Sequence, residues 1–91
     1  MKLGRTILKY IINFKDGNTQ SEICKIIDCS YNYISILTTL FEEEGFLTRR
    51  KDRKDDRIQK LYLTTKGKEF KYAAIQLNNF IEITQFRGKT E

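Results

Sequence analysis

The sequence predicts one small, mainly helical domain that carries a single β-hairpin, in the order α-α-α-β-β-α. Three observations predict it. Apolar residues recur at helical spacing in four stretches, about 3–14, 20–27, 31–44 and 65–86. Between the third and fourth stretches the period drops to that of a strand, on both sides of a charged run at 50–57. Proline is absent, so nothing forces a break inside a helix.

In the first stretch, Leu3, Ile7, Leu8, Ile11 and Ile12 form an amphipathic stripe, and Asp16-Gly17-Asn18 ends it with turn chemistry. Thr19 followed by Glu22 is a capping-box pattern, in which each side chain satisfies a free backbone N–H of a new helix. Ile23, Cys24, Ile26 and Ile27 give that short helix its apolar surface, and Asp28-Cys29 is a tight connection. Ser30 is a suitable N-cap for the third helix, whose Ile34, Leu37 and Phe41 face inward. Gly45 stands where a left-handed C′ residue is expected. Phe46-Leu47-Thr48-Arg49 and Ile58 to Leu63 read as two strands, and Thr64 or Thr65 caps the last helix. The expected division is 1–64 as the domain proper, 65–86 as a C-terminal helix and 87–91 as a frayed tail.

Composition excludes several function classes. The 91 residues fit one domain, since domains commonly run about 50–250 residues. An apolar share of 40% is enough for a modest core and too much for a disordered chain. No run approaches a membrane span or a signal-peptide h-region, so the cytoplasm is the expected address, either at the nucleoid or, for a viral chain, in the host cell. The chain has no histidine, no paired nucleophile and base and no Gly-rich phosphate loop, so neither an enzyme nor a cofactor or metal is expected. Cys24 and Cys29 are too few for a disulfide scaffold and read as small buried hydrophobes.

Charge is unevenly spread. The net +5 hides a segment, 47–60, with seven basic groups against three acidic ones. Such a cluster attracts phosphate polyanions. Two short helices joined by a tight turn, after a first helix and before a charged hairpin, form a winged helix-turn-helix pattern. The second helix of the pair suits the major groove of DNA, which admits one α-helix. The hairpin can then place Arg50, Lys51, Arg53, Lys54 and Arg57 on phosphates or in the minor groove.

The recognition stretch is uncharged from Tyr31 to Thr39. Ser30, Tyr31, Asn32, Tyr33, Ser35, Ile36 and Thr39 are its candidate DNA-contacting residues. Asn bonds adenine bidentately, Ser and Thr bond bases or phosphates, Ile touches a thymine methyl, and Tyr hydroxyls more often reach phosphates. Each also reads as an ordinary surface residue. With no cation on that helix, affinity must come from the wing. Arg49 and Arg50 alternatively pair with Glu42, Glu43 or Glu44, and Asp56 alternatively shapes the hairpin through a salt bridge.

The last helix has apolar residues on more than one side. Phe70, Ala74, Leu77 and Ile81 follow coiled-coil-like spacing, and Phe80 and Thr84 extend the candidate dimer interface. Soluble monomers rarely expose a large apolar patch, so a homodimer is expected, or else a helix that folds back to serve one core.

The chain resembles the MarR-type winged-helix transcription regulators over roughly residues 5–72. Thr19-Gln20-Ser21-Glu22-Ile23 is similar to the start of their second helix, and Ser30 to Ile34 with Phe41 to Gly45 to their recognition helix. The run from Asp56 to Gly67, ending Leu63-Thr64-Thr65-Lys66-Gly67, resembles their wing and the strand that leaves it. It also looks like small archaeal winged-helix proteins that dimerise through a C-terminal coiled coil. Either resemblance implies double-stranded DNA and a second copy of the chain as partners. Full MarR-type proteins carry extra terminal helices that enclose a ligand pocket, so a small-molecule effector stays open. The expected function is sequence-specific, homodimeric transcription regulation. The alternatives are an architectural DNA-binding protein and a protein-interaction module.

Overall fold

The computed structural model describes residues 3–90 and the side chains of residues 4–84. Its elements are α1 (Leu3–Asn13), α2 (Gln20–Ile27), α3 (Tyr31–Glu43), β1 (Leu47–Lys51), β2 (Gln59–Leu63) and α4 (Thr65–Thr90). The expected order is observed. Strand β1 extends further into the charged run than expected, because Arg50 and Lys51 pair with Lys60 and Gln59, while β2 begins at Gln59, one residue later than expected. Helix α4 runs past the expected end at 86, and the side chains of the expected frayed tail lie outside the described residues. No helix is long and apolar enough to cross a membrane among the described residues.

Local chemistry sets the boundaries. Thr19 and Glu22 close the capping box at the start of α2, and this backbone hydrogen bond holds the Glu22 carboxyl below its ordinary range. Asp28 ends α2 in the left-handed region at φ 54°. Ser30 Oγ accepts from Tyr33 N at 3.2 Å and starts α3. Gly45, at φ 79°, turns the chain from α3 into β1 as expected.

The core joins every element. Tyr10, Phe14, Ile23, Ile27, Ile34, Leu37, Phe41, Leu47 and Leu61 form one buried cluster. On α1 the deepest residues are Tyr10 and Ile11; Ile11 belongs to the expected stripe and Ile7 packs against the core, whereas Tyr10 was not expected there, Leu8 and Ile12 are half-buried, and the Leu3 side chain lies outside the described residues. Burial of a tyrosine requires a partner for its hydroxyl. Thr38, buried on α3, supplies it: the Tyr10 hydroxyl lies 2.6 Å from Thr38 Oγ1, which donates its own proton to Ile34 O.

The two-stranded sheet gains a third backbone partner. Gly17 N donates to Leu61 O at 2.7 Å and Leu61 N donates to Asn18 O at 2.8 Å. The turn after α1 is thereby tied to β2 on the side away from β1. Leu63 N also donates to Asp16 Oδ1.

Helix α4 is clipped to the domain at its first turn. Thr64 Oγ1 donates to Gly45 O and accepts from Gly67 N, and Lys66 Nζ donates to Glu44 O at 2.8 Å. A Cβ at Gly67 would lie 2.0 Å from Phe46 O, so only glycine allows this approach. Phe70 stacks on Phe46 with centroids 4.3 Å apart, Ala74 is buried, and Lys71 Nζ donates to Phe14 O behind α1.

Candidate nucleic-acid interface

Helix α3 buries Ile34, Leu37, Thr38 and Phe41 and leaves one long face outside. Asn32, Ile36 and Thr39, spaced by four and three residues, form the exposed stripe, with Ser35 half-buried on its flank. Ile36 is 57% exposed, a large cost for an isoleucine with no covering partner. The other three expected contacts are partly engaged within the chain. Ser30 Oγ caps the helix, Tyr33 packs against the core, and the Tyr31 hydroxyl accepts from Gln20 Nε2 at 2.9 Å.

The wing owes its shape to two carboxylates. Asp52 Oδ2 accepts from the backbone N–H groups of Lys54 and Asp55, and Asp52 Oδ1 lies 3.3 Å from Lys60 Nζ. Asp55 takes both Nε and Nη2 of Arg57, at 3.0 and 2.9 Å. These bonds, led by Lys60 for Asp52 and by Arg57 for Asp55, hold both carboxyls below the ordinary range. Asp56, the acid that the sequence suggests for shaping the hairpin, does not do so. Asp56 is exposed and makes no ion pair among the described residues; Asp52 and Asp55, whose side chains turn back onto the loop backbone, do that work.

The wing cations divide into two groups. Arg49 lies on the inner face opposite Leu61 and is spent on Glu42, 2.8 Å away, and on Gln59. Arg57 is neutralised locally by Asp55. Arg50 does not join the acidic run; its guanidinium lies over the Tyr62 ring, 5.0 Å from the centroid. Arg50, Lys51, Arg53 and Lys54 are exposed and make no ion pair among the described residues.

A polar groove lies between the start of α2, the start of α3 and the base of the wing. Ser21 at the start of α2, Tyr31 at the start of α3, and Arg57 and Gln59 on the wing all line it. The beginning of α3 and the base of the wing therefore border one depression. Gln20, buried behind this groove, escaped the sequence reading. Its partner is eleven residues away, and no local pattern announces that pair.

The expected dimer residues are separated by the fold. Phe70 and Ala74 are inside the protomer, and Ile81 is half-buried beside Leu8 and Ile12 of α1. Leu77, Phe80 and Thr84 remain exposed, joined by Tyr72 and Ile83. The coiled-coil-like spacing thus marks mostly the stripe that covers its own domain.

No family model matches the sequence, and no curated protein matches it. Solved structures do. The transcriptional regulator SlyA matches with a TM-score of 0.84 at 23% identity, over 92% of this chain and 61% of that one. S. aureus MepR, in its complex with DNA, matches with a TM-score of 0.77 at 25% identity, over 96% of this chain and 63% of that one. A MarR transcriptional regulator from Methanosarcina mazei Go1 matches with a TM-score of 0.81 at 19% identity, over 90% of this chain and 60% of that one. This chain spans less than two thirds of the length of each.

Proposed function

From the MarR-type winged-helix fold that the chain has, we propose that it is a sequence-specific, double-stranded DNA-binding transcription regulator that acts as a homodimer. The observation that carries this reading is the groove bordered by the start of α3 and the base of the wing, beside an α3 with an exposed, uncharged stripe of Asn32, Ile36 and Thr39 and a hairpin whose Arg50, Lys51, Arg53 and Lys54 are exposed. Helix α3 enters the major groove. Asn32 reads a base edge and Ile36 contacts a thymine methyl. Arg50, Lys51, Arg53 and Lys54 neutralise phosphates or enter the adjacent minor groove. Residues 1–64 form the reading unit and 65–86 the dimerising arm. The exposed apolar flank of α4, with Phe80 at 66% and Ile83 at 55% exposure, supports burial against a second copy. A two-fold dimer presents its recognition helices to half-sites about one helical turn, roughly 34–36 Å, apart.

The absence of any cation on the outer face of α3 favours a second reading, an architectural protein that recognises backbone and shape. Selection of bound duplexes from a random pool at physiological salt separates the two. Regulation predicts recovery of one pseudo-palindromic motif; recovery of no motif leaves the architectural reading. Failure to retain any duplex even at low salt would overturn both.

A further inference from the structure

The connection between α2 and α3 holds a pair of thiols that the proposed interface does not use. Cys24 and Cys29 are the chain's only cysteines, and both are free. The sequence suggests small buried hydrophobes. In the structure each is only half-buried and packs against the core. The backbone brings them together. Helix α2 ends on Asp28 in the left-handed region, and Cys24 O accepts from both Asp28 N and Cys29 N, the latter at 3.1 Å. This is the Schellman turn, in which the residue four before the left-handed position and the residue just after it commonly make a side-chain contact. Cys24 and Cys29 hold those two positions.

We propose that Cys24 and Cys29 form a reversible disulfide that staples the end of α2 to the start of α3, made by exchange with a low-molecular-weight disulfide. The hydrogen bond between their main chains keeps the two α-carbons within the roughly 4.4–6.8 Å that a disulfide spans. Electrostatics agrees with this closeness: burial first, and then the neighbouring Cys29, pushes the Cys24 thiol up. A metal is the poorer occupant, because no group of three or more Cys, His, Asp or Glu side chains able to hold one forms among the described residues. The turn also gains from a crosslink. Asp28 is the one non-glycine residue at positive φ among the described residues, and aspartate, unlike glycine, does not adopt that conformation freely.

The exchange runs in two steps. The Cys29 thiolate attacks one sulfur of the reagent, forms a mixed disulfide and releases one thiolate. Cys24 loses its proton, attacks the Cys29 sulfur, closes the bond and releases the second thiolate. Two protein thiols are oxidised, one reagent disulfide is reduced to two thiols, and the two protons pass to the released thiolates. Cys24 reacts second because its thiol is held protonated. The bridge closes over residues 25–28 and joins positions that the turn already holds together. It therefore restrains the unfolded chain with little change to the fold.

The test uses the full chain without DNA, so its outcome is separate from the function proposed above. The wild type is incubated with glutathione disulfide, its free thiols are alkylated, and its mass is measured. It should take up no alkylating agent, carry no glutathione and have lost the mass of two hydrogens, with no covalent link between chains. Its thermal midpoint should rise by about 5–15 °C and fall back after dithiothreitol. Cys24→Ala should retain one glutathione on Cys29, because nothing resolves the mixed disulfide, and should show no reversible rise. Two glutathiones on the wild type, a link between two chains, or thiols that stay reduced in excess reagent overturn the pairing. A bridge that forms without raising the midpoint overturns the staple.

Discussion

The hydroxyl of Tyr10 on α1 and that of Thr38 on α3 meet 2.6 Å apart in the centre of the core, and the chain of donation runs from Tyr10 through Thr38 to Ile34 O. The direction is fixed, because Thr38 has a single proton and Ile34 O takes it. The pair therefore ties α3 to α1 through the buried core.

Removing one end differs from removing the other. Thr38→Val leaves the Tyr10 hydroxyl buried without an acceptor and should cost about 1–3 kcal/mol, whereas Tyr10→Phe leaves Thr38 with Ile34 O and should cost about 1 kcal/mol. Burial also pushes the Tyr10 hydroxyl from an ordinary 10.0 up to about 12. A folded-state value that is raised means stability fully present below pH 10 and lost as the pH rises from 10 through 12. Urea titrations across that range, alongside tyrosinate absorbance, should show unfolding becoming easier while one of the five tyrosines ionises last.

The wing prediction concerns salt. Arg53→Ala and Lys54→Ala should each lower the log–log salt slope of DNA binding by about 0.9. Arg57→Ala should lower it less, because Asp55 already neutralises that guanidinium. Unchanged slopes for all three variants would remove the wing from the interface.

Asn32 carries the specificity prediction. Asn32→Ala should reduce the preference for the selected site over random duplex by about 1–3 kcal/mol and leave random-duplex affinity alone. Competition binding with both duplexes measures this, and a uniform loss would reassign Asn32 to the backbone.

For the dimer, Phe80→Glu places a charge on the exposed flank of α4 and touches none of the core. Sedimentation should show a dimer for the wild type and a monomer for the variant, with unchanged secondary structure. A variant that stays dimeric moves the interface elsewhere.

Gly67→Ala reverses the usual helix rule. Alanine ordinarily gains about 1 kcal/mol over glycine inside a helix. Here the added methyl would meet Phe46 O at 2.0 Å. The expected result is a net loss of about 1–3 kcal/mol, read from chemical denaturation.

Much of this fold is legible locally. The box at Thr19 and Glu22, the cap at Ser30 and the turn at Gly45 depend on neighbours within four residues, so pattern alone finds them. What escapes is chemistry between distant polar groups. Nothing near Thr38 announces its hydrogen-bond partner, because Tyr10 lies 28 positions away. The same holds for Gln20 with Tyr31, and for Asn18 with Leu61. On α4 the spacing of Phe70, Ala74 and Ile81 is real, but spacing does not say which apolar stripe covers the chain's own domain. In the wing three acids stand within five residues, and only the loop geometry shows that Asp52 and Asp55 turn inward.

The tie between Gly17, Asn18 and Leu61 has a consequence for life at high concentration. It occupies the outer rim of β2, so the strand that could still recruit a stranger is β1. That strand carries exposed Arg50 and Lys51, and an identical strand from another molecule would meet mutual repulsion. The same cations that suit a polyanion therefore also guard the sheet against self-templated fibres.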